Sequence, residues 1–422
     1  MTEQNHSGRL TIGNWLLSFS PRTVPPRNHS RTAQRPRELL VPIGERVEQF
    51  VYHSKRWKLI SALFAVTLFK TGIWFNPILL DRSRLIAQNP FANPLQDLPT
   101  FHYLYWSWLA PFVAWLVGAT GPLSFFCFHL FFSLAFTGLF IVTIFSRFED
   151  KVARTALVMF FILPVAGTCY FWVGGDSVTL FLMMLALAFP KYLWATLIAG
   201  VALGMEHFEQ GFFAVAAVAF VSLFGLPDER EREYSWRWAL PLLFGVMLGK
   251  AVLVELFRHF KVLVNSGRVY WLANPPFRHM VVRDFYFHFQ FIIYSVLGVG
   301  WALVIKYANL GKKIAPFFVA LCGLMLLLPI TYDETRVGAI VSFPLMAVFF
   351  LLNRWFLKSV TPQFLSWMFI VWLLVPYSWA YGGVPQWSIL PYDVALMLHK
   401  LFGWFDLPTN DPFWPISQYR RW

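Results

Sequence analysis

Charged residues next to arginines or glycines are the positions of this chain that could do chemistry. The first is Asp81, which is followed by Arg82 and, two positions later, by Arg84. An ionised carboxylate here could accept a proton from a hydroxyl nucleophile, while the two arginines bind phosphate. A surface ion pair at a helix end would explain the same three residues.

A second aspartate, Asp176, ends the segment Trp-Val-Gly-Gly-Asp that begins at Trp172. The two glycines allow the chain to turn sharply, and Asp176 could then cap the helix that follows. A serine or asparagine would cap that helix equally well. The choice of an aspartate therefore makes Asp176 a second candidate for chemistry.

Two more groups of charged residues lie at the ends of apolar runs. A divalent cation could be bound by Glu206, His207 and Glu209. Residues at these spacings do not share one helix face, however. A hydrated cluster at the membrane interface is the alternative. Arg336 could reach a lipid phosphate from the membrane boundary. A local pair between Asp333 and Arg336 is the alternative there.

Residues 258–288 are strongly basic and include Arg278 and Arg283. They could contact anionic lipid at the interface or bind a lipid phosphate. The chain has no Walker motif, no Ser-His-Asp order and no zinc-ligand spacing, so no nucleotide cofactor is expected. The net charge is +13, but the basic residues are spread over the loops and the N-terminal arm, and the aromatic residues lie inside apolar runs. Nucleic-acid binding needs a continuous basic face with exposed aromatics, so we expect no nucleic-acid partner.

Composition indicates the kind of element that must position these residues. Hydrophobic residues make up 57% of the 422 positions and charged residues only 14%, so the lipid bilayer is the expected solvent and partner. The sequence predicts an all-α polytopic membrane protein with about 11 transmembrane helices. The apolar runs cover residues 59–75, 121–145, 155–172, 176–190, 193–207, 211–225, 238–257, 289–305, 314–330, 337–352 and 363–380.

The pattern predicts three regions. Residues 1–58 form a basic, partly disordered cytoplasmic arm without a cleavable signal peptide. Residues 59–380 form a multi-span membrane domain with outer loops at 76–120 and 258–288. Residues 381–422 form an outer tail that is rich in Trp and Pro.

Charge bias predicts the orientation. If the aromatic stretch 103–119 forms interfacial helices in the first outer loop, 22 Lys and Arg lie on the N-terminal side and 11 on the other. Cytoplasmic loops carry the excess of basic residues, so the N-terminus is expected in the cytoplasm and the C-terminus outside. The membrane would be the plasma or inner membrane of a bacterium or the endoplasmic reticulum of a eukaryote.

The order of these features resembles the GT-C superfamily of integral-membrane glycosyltransferases. The resemblance covers residues 59–225 and includes "LPTFHYLYWSWLAPFVAWLVGATGP", the short basic loop "SRFEDKVART", "GGDSVTLFLMMLALAF" and "LIAGVALGMEHFEQG". Much later, "YDETRVGAIVSFPLMAV" is similar to the outer arginine of this family that precedes a proline-bearing span. Order and spacing carry the resemblance more than any single motif.

The resemblance implies transfer of a sugar, with inversion, from a polyprenyl-phosphate donor to a lipid, glycan or protein acceptor on the non-cytoplasmic face. It assigns Asp81 as the base, Asp176 as organiser of donor or acceptor, and Arg336 as a ligand of the lipid phosphate. Many members carry a second acid where this chain has Arg82, so Asp97 is the alternative base, and the use of a metal is left open.

The other donor and phosphate ligands that we predict are Arg82, Arg84, Arg278 and Arg283. A lipid or glycan transporter or flippase is the alternative function, and a non-catalytic membrane assembly subunit is the next. A transporter would be expected to have inverted repeats and charges near mid-bilayer, and no internal repeat is visible in the sequence.

Overall fold

The computed structural model describes residues 35–224, 233–265, 273, 275–310, 314–381, 384–388 and 401–403. By internal contacts the chain divides into residues 1–46 and residues 47–422. The first unit contributes only the start of helix α1 to the described part, and residues 1–34 of the predicted arm lie outside it. The text below concerns the second unit.

Helices account for most of the described residues. They are α1 (Arg35–His53), α2 (Arg56–Thr71), α3 (Pro77–Gln88), α4 (Leu109–Leu116), α5 (Pro122–Arg147), α6 (Asp150–Ile162), α7 (Pro164–Phe171), α8 (Gly175–Ala188), α9 (Leu193–Phe224), α10 (Trp236–His259), α11 (Pro275–Leu297), α12 (Trp301–Asn309), α13 (Ala315–Met325), α14 (Glu334–Met346), α15 (Arg354–Ser359) and α16 (Pro362–Leu374). Short 3-10 turns lie at Pro99–Trp106, Gly298–Gly300 and Leu328–Ile330, and a π-helical turn continues α14 over Ala347–Leu351.

Five helical segments within the described residues are long and apolar enough to cross a membrane. They are Pro122–Arg147, Leu193–Phe224, Trp236–His259, Phe285–Asn309 and Glu334–Leu351. Helices α6 and α7 form a sixth if this pair, bent by 55° at Pro164, counts as one span. The chain is thus a nearly all-α, multi-pass membrane protein. Every one of the eleven predicted apolar runs contains helix, and their number as spans stays a prediction.

Helix α9 contains a reversal of the chain at His207. The backbone there leaves the helical region (φ −155°, ψ 81°). A β-carbon on Gly211 would lie 3.4 Å from Cβ of Leu203, whereas residues eight apart in a straight helix are about 12 Å apart. The two halves of α9 therefore fold back on each other, and the turn brings Glu206 and Gln210 to the same end of the structure.

Glycines bring the first half of α9 against α10. A β-carbon on Gly200 would lie 3.0 Å from Cα of Gly245, and one on Gly204 would lie 3.0 Å from Cα of Gly249 and would overlap the carbonyl oxygen of Val246. Small residues four apart allow membrane helices to approach backbone to backbone. This contact fixes the position of the turn at His207 relative to α10.

We expect Gly204→Leu to destabilise the protein by about 1–3 kcal/mol or more, because the side chain would have to push the backbone of α10 away. The midpoint of thermal unfolding of the purified protein in detergent measures the effect. Gly138→Leu in α5 is the matched control, since a β-carbon there meets nothing within 4 Å. An equal loss of stability in both variants would contradict this account of the α9–α10 contact.

The predicted first outer loop contacts the turn at His207. Helix α4 has 8 residues and is about 12 Å long, too short by itself for a ~30 Å hydrocarbon core. The interfacial position of 103–119 stays a prediction. The Trp108 N–H donates to the Met205 carbonyl oxygen at 3.2 Å. Burial raises the pKa of the Tyr105 phenol, whose O–H donates to the Ala92 carbonyl oxygen at 2.6 Å.

Two predicted outer regions contain more regular structure than expected. Helix α11 begins at Pro275, inside the predicted loop 258–288, of which residues 266–272 and 274 lie outside the described residues. Strands β1 (Tyr377–Tyr381) and β2 (Val384–Ser388) form an antiparallel hairpin, with Tyr377 opposite Ser388, where the predicted tail begins. Residues 389–400 and 404–422 of the tail lie outside the described part.

Candidate functional site

An ion-pair cluster around Arg336 lies where α8 and α14 begin. The Arg336 Nε–H donates to Asp333 Oδ2 at 2.9 Å, and Nη1 donates to Asp176 Oδ2. The side chains of Arg336, Asp333 and Asp176 are 15%, 8% and 4% exposed. The local pair between Asp333 and Arg336 therefore exists together with a pair that joins residues 160 positions apart.

The Gly-Gly turn before α8 positions Asp176. Helix α8 starts at Gly175 with Asp176 in its first turn, where a negative charge is favourable. Among the described residues, no side-chain hydrogen bond caps this helix at its N-cap, Gly174. The Asp176 carboxylate instead binds Arg336 and accepts a hydrogen bond from Gln210 Nε2 at 3.2 Å, so capping alone does not explain this aspartate.

The turn in α9 adds a buried carboxyl group, that of Glu206. Its Oε2 accepts a hydrogen bond from the Ala110 N–H at 2.7 Å, at the start of α4. Its Oε1 is 3.0 Å from where a β-carbon on Gly175 would lie. Glycine at 175 thus lets the Glu206 carboxyl approach the turn that carries Asp176.

The other two residues of the predicted polar cluster face a different neighbour. Nδ1 of His207 lies 3.7 Å from Glu209 Oε2, and Glu209 interacts electrostatically with Lys250 of α10. The Lys250 ammonium lies 3.4 Å from the ring centroid of Trp106, in the predicted first outer loop. Glu206 and Glu209 therefore belong to two adjoining sets of contacts.

An aromatic wall borders the Arg336 cluster. The guanidinium lies 4.8 Å from the ring centroid of Trp172. Trp172 stacks on Trp379 of β1 (5.6 Å, 19°) and makes an edge contact with Trp74 (5.0 Å). These aromatics come from three separate parts of the chain.

Several buried polar atoms next to residues 172–176 make no hydrogen bond within the described structure. They are Nδ1 of His129, Oε1 of Glu206, Oε1 of Gln210 and Nε1 of Trp379. His129 lies beside Gly174, and the other three adjoin Gly175, Asp176 and Trp172. Buried polar groups are nearly always hydrogen-bonded, so atoms of this kind are suited to bind water or the hydroxyl groups of a ligand.

Other predicted site residues lie apart from these contacts. The Asp81 side chain is 51% exposed and pairs with Arg84 Nη2 at 2.7 Å, and no hydrogen bond or ion pair among the described residues joins Asp81 to Asp176 or Arg336. The Arg82 guanidinium lies 5.8 Å from the Phe101 ring centroid. The three remaining residues of this group, all exposed, are Asp97, Arg278 and Arg283.

The charges of the Arg336 cluster favour neutral or cationic ligands over anions. Carboxyl groups of Asp176 and Asp333 contact a single guanidinium, and the two nitrogens that face them are already hydrogen-bonded to these carboxylates. A phosphate would have to compete with both. Direct phosphate binding, the role that the sequence predicted for Arg336, is therefore less favourable than positioning of Asp176.

The described residues contain no group of three or more His, Cys, Asp or Glu side chains that could hold a metal ion. Comparison of the chain with protein-family models, with curated proteins and with solved structures gives no match. Function must therefore be argued from the site itself.

Proposed function

We propose that this protein is a membrane glycosyltransferase that moves a sugar from a polyprenyl-phosphate donor to a lipid, glycan or protein acceptor, with inversion. The observation that carries the proposal is the group of buried carboxyl and amide oxygens around Arg336, beside the Trp172–Trp379 wall. Carboxylate and amide oxygens accept hydrogen bonds from hydroxyl groups, and aromatic faces attract positively polarised C–H groups. A sugar ring offers both.

The proposed roles divide between the buried cluster and the outer loop. Asp176, held by Arg336 and Gln210, organises the sugar. Asp81, or Asp97 in its place, takes the proton from the acceptor hydroxyl as its oxygen attacks the sugar, and the bond from the sugar to the phosphate breaks. Arg82, Arg84, Arg278 and Arg283 supply positive charge for the anionic parts of the donor.

The proposed orientation follows from the distribution of basic residues in the loops. About eleven spans, with the N-terminus in the cytoplasm and the C-terminus outside, would place the ends of α7, α10 and α16 and the hairpin on the non-cytoplasmic face. Asp176 and Arg336 lie in the first turns of α8 and α14, which would start from that same face. The proposed chemistry would then take place there.

The test is transfer of label from a polyprenyl-phosphate sugar by membranes that contain the protein. With a panel of labelled hexose, pentose and amino-sugar donors, we expect one donor to be consumed and its label to appear in product. Membranes with Asp176→Asn, present in equal amount, should lose this activity. Intact donor across the panel would reject the proposal, and label that crosses sealed vesicles unchanged would favour a flippase instead.

A further inference from the structure

Helix α5 ends at a surface of the membrane. This helix (Pro122–Arg147) is long and apolar enough to cross a bilayer, and the three residues after Phe148 are charged: Glu149, Asp150 and Lys151. Charged side chains are costly in hydrocarbon. The turn from α5 to α6 therefore lies at the boundary between lipid and water.

Two other helix ends are held at this boundary. The Arg154 Nη1–H donates to the Val51 carbonyl oxygen at 2.9 Å, near the end of α1. At the start of α2, the Arg56 Nε–H donates to Asp150 Oδ1 at 2.6 Å, although the two residues are 94 positions apart. The Arg56 guanidinium also lies 4.9 Å from the Phe145 ring centroid. The fold thus brings α1, α2 and α6 together at one membrane surface.

The two acids of the turn already have basic partners within the protein. Asp150 accepts hydrogen bonds from Arg56 and, at 2.6 Å, from Nε of Arg154. Glu149 pairs with Arg354 of α15 at 2.6 Å. Their negative charges are therefore matched by arginines before any lysine of this region is counted.

Three exposed lysines beside the Arg56–Asp150 pair have no carboxylate within ion-pair distance among the described residues. They are Lys55, Lys58 and Lys151. The ammonium of Lys58 lies 5.8 Å from the Trp57 ring centroid, and that of Lys151 lies 5.4 Å from the Tyr52 ring centroid. Glu48 of α1, which interacts electrostatically with Tyr52, is a further acid of this region. The three lysines outnumber it, so the surface carries a net positive charge.

An exposed tryptophan lies among these cations. Trp57, between Arg56 and Lys58 in the first turn of α2, is 62% exposed. Tryptophan is enriched at membrane–water interfaces, where its ring lies at the level of the lipid headgroups. The ring gives a phospholipid an apolar contact that a soluble anion could not use.

We propose that Lys55, Lys58, Lys151 and Trp57 bind the headgroup of an anionic phospholipid. The three ammonium groups donate charge-assisted hydrogen bonds to the phosphate oxygens, and the Trp57 ring lies against the glycerol backbone. Each basic residue near an anionic membrane surface strengthens binding about fivefold. The proposal rests on the membrane location of the chain and is independent of sugar transfer.

Photocrosslinking with phosphatidylglycerol tests this surface. The full chain is placed in phosphatidylcholine nanodiscs that contain a small fraction of phosphatidylglycerol with a diazirine near its glycerol backbone. Labelled peptides are identified by mass spectrometry after chymotryptic digestion. We expect adducts on residues 51–58 and 148–152, and at least about tenfold fewer with the matching diazirine phosphatidylcholine.

Replacement of the three lysines tests whether their charge holds the lipid. The triple variant Lys55→Gln, Lys58→Gln and Lys151→Gln should have at least about tenfold fewer adducts on these peptides. The corresponding triple arginine variant should keep them, because it keeps the charge. All three side chains are exposed, so the fold should not depend on them.

The matched control removes three basic residues elsewhere, through Lys191→Gln, Arg237→Gln and Lys306→Gln. Arg237 lies 5.6 Å from the ring centroid of Trp236, which is 48% exposed, so the control includes a similar pair of a cation and an exposed tryptophan. Adducts on residues 51–58 and 148–152 should be unchanged. An equal loss in both glutamine variants would reduce the effect to net charge and overturn the proposal, as would full labelling of the Lys55, Lys58 and Lys151 variant.

Inorganic phosphate distinguishes a lipid headgroup from a free anion. Compared with chloride at equal ionic strength, it should reduce the adducts no further. A loss of adducts that is specific to phosphate would assign the surface to a soluble phosphate and reject the lipid.

Discussion

Arg336→Met is expected to lower the free energy of unfolding by about 3–5 kcal/mol and to abolish sugar transfer. The substitution leaves Asp176 and Asp333 buried without the guanidinium that compensates them, and removal of one partner from a buried ion pair has a cost of that size. Unfolding of the purified protein in mixed micelles, followed as SDS is added, measures the change.

Arg354→Met is the matched control for that experiment. Arg354 also pairs with a carboxylate distant in sequence, that of Glu149 at 2.6 Å, but the two side chains are 52% and 68% exposed. Exposed pairs contribute about 0–1 kcal/mol. An equal loss of stability in Arg354→Met and Arg336→Met would mean that the cluster around Arg336 contributes no more to the free energy of unfolding than an exposed ion pair.

Combining Arg336→Met with Asp176→Asn separates a buried charge from lost packing. The double variant also removes the negative charge of Asp176, which Arg336→Met leaves buried without its guanidinium, so it should be more stable than Arg336→Met alone. Purely additive losses would mean that Asp176 and Arg336 do not depend on each other energetically. That result would contradict the hydrogen bond between them.

Hydropathy was sufficient to predict helix within each apolar run but not the exact extent of these helices. It also missed α1, which forms over Arg35–His53 in the arm predicted to be partly disordered. The separate apolar runs 193–207 and 211–225 predicted a break in the chain that the structure places at His207. The helical start of α11 was missed because Arg278 and Arg283 interrupt the apolar pattern there. The β-hairpin was missed although Gly382-Gly383 between aromatic runs is a local signal for one.

The contacts of the candidate site could be predicted where the two residues in contact are close in sequence. Asp333 and Arg336 are three positions apart, so a pair between them could be expected. The contact of Arg336 with Asp176 depends on how α8 packs against α14, and no local pattern encodes it. Gln210, Trp172 and Trp379 were not predicted as site residues, since an amide or indole in an apolar context is typical of membrane helices and interfaces.

Asp81→Asn should reduce sugar transfer by roughly 10²-fold or more if Asp81 is the general base, because the amide keeps the size of the side chain and cannot accept the proton. Stability should change little, since the pair of Asp81 with Arg84 is half-exposed and such pairs contribute about 0–1 kcal/mol. Transfer from the polyprenyl-phosphate donor at saturating and limiting concentrations, together with the SDS titration, gives both quantities. Lys358→Ala, at the predicted cytoplasmic end of α15, is the control and should leave both unchanged.

The same assay decides between the two candidate bases. Both Asp81 and Asp97 are exposed, in the predicted first outer loop, so a substrate could reach either without disturbing the buried cluster. Loss of transfer in Asp97→Asn with full activity in Asp81→Asn would move the base to Asp97. Full activity in both, and in Asp176→Asn as well, would leave no carboxylate to activate the acceptor, and the buried cluster would then be a structural feature of a protein with another function.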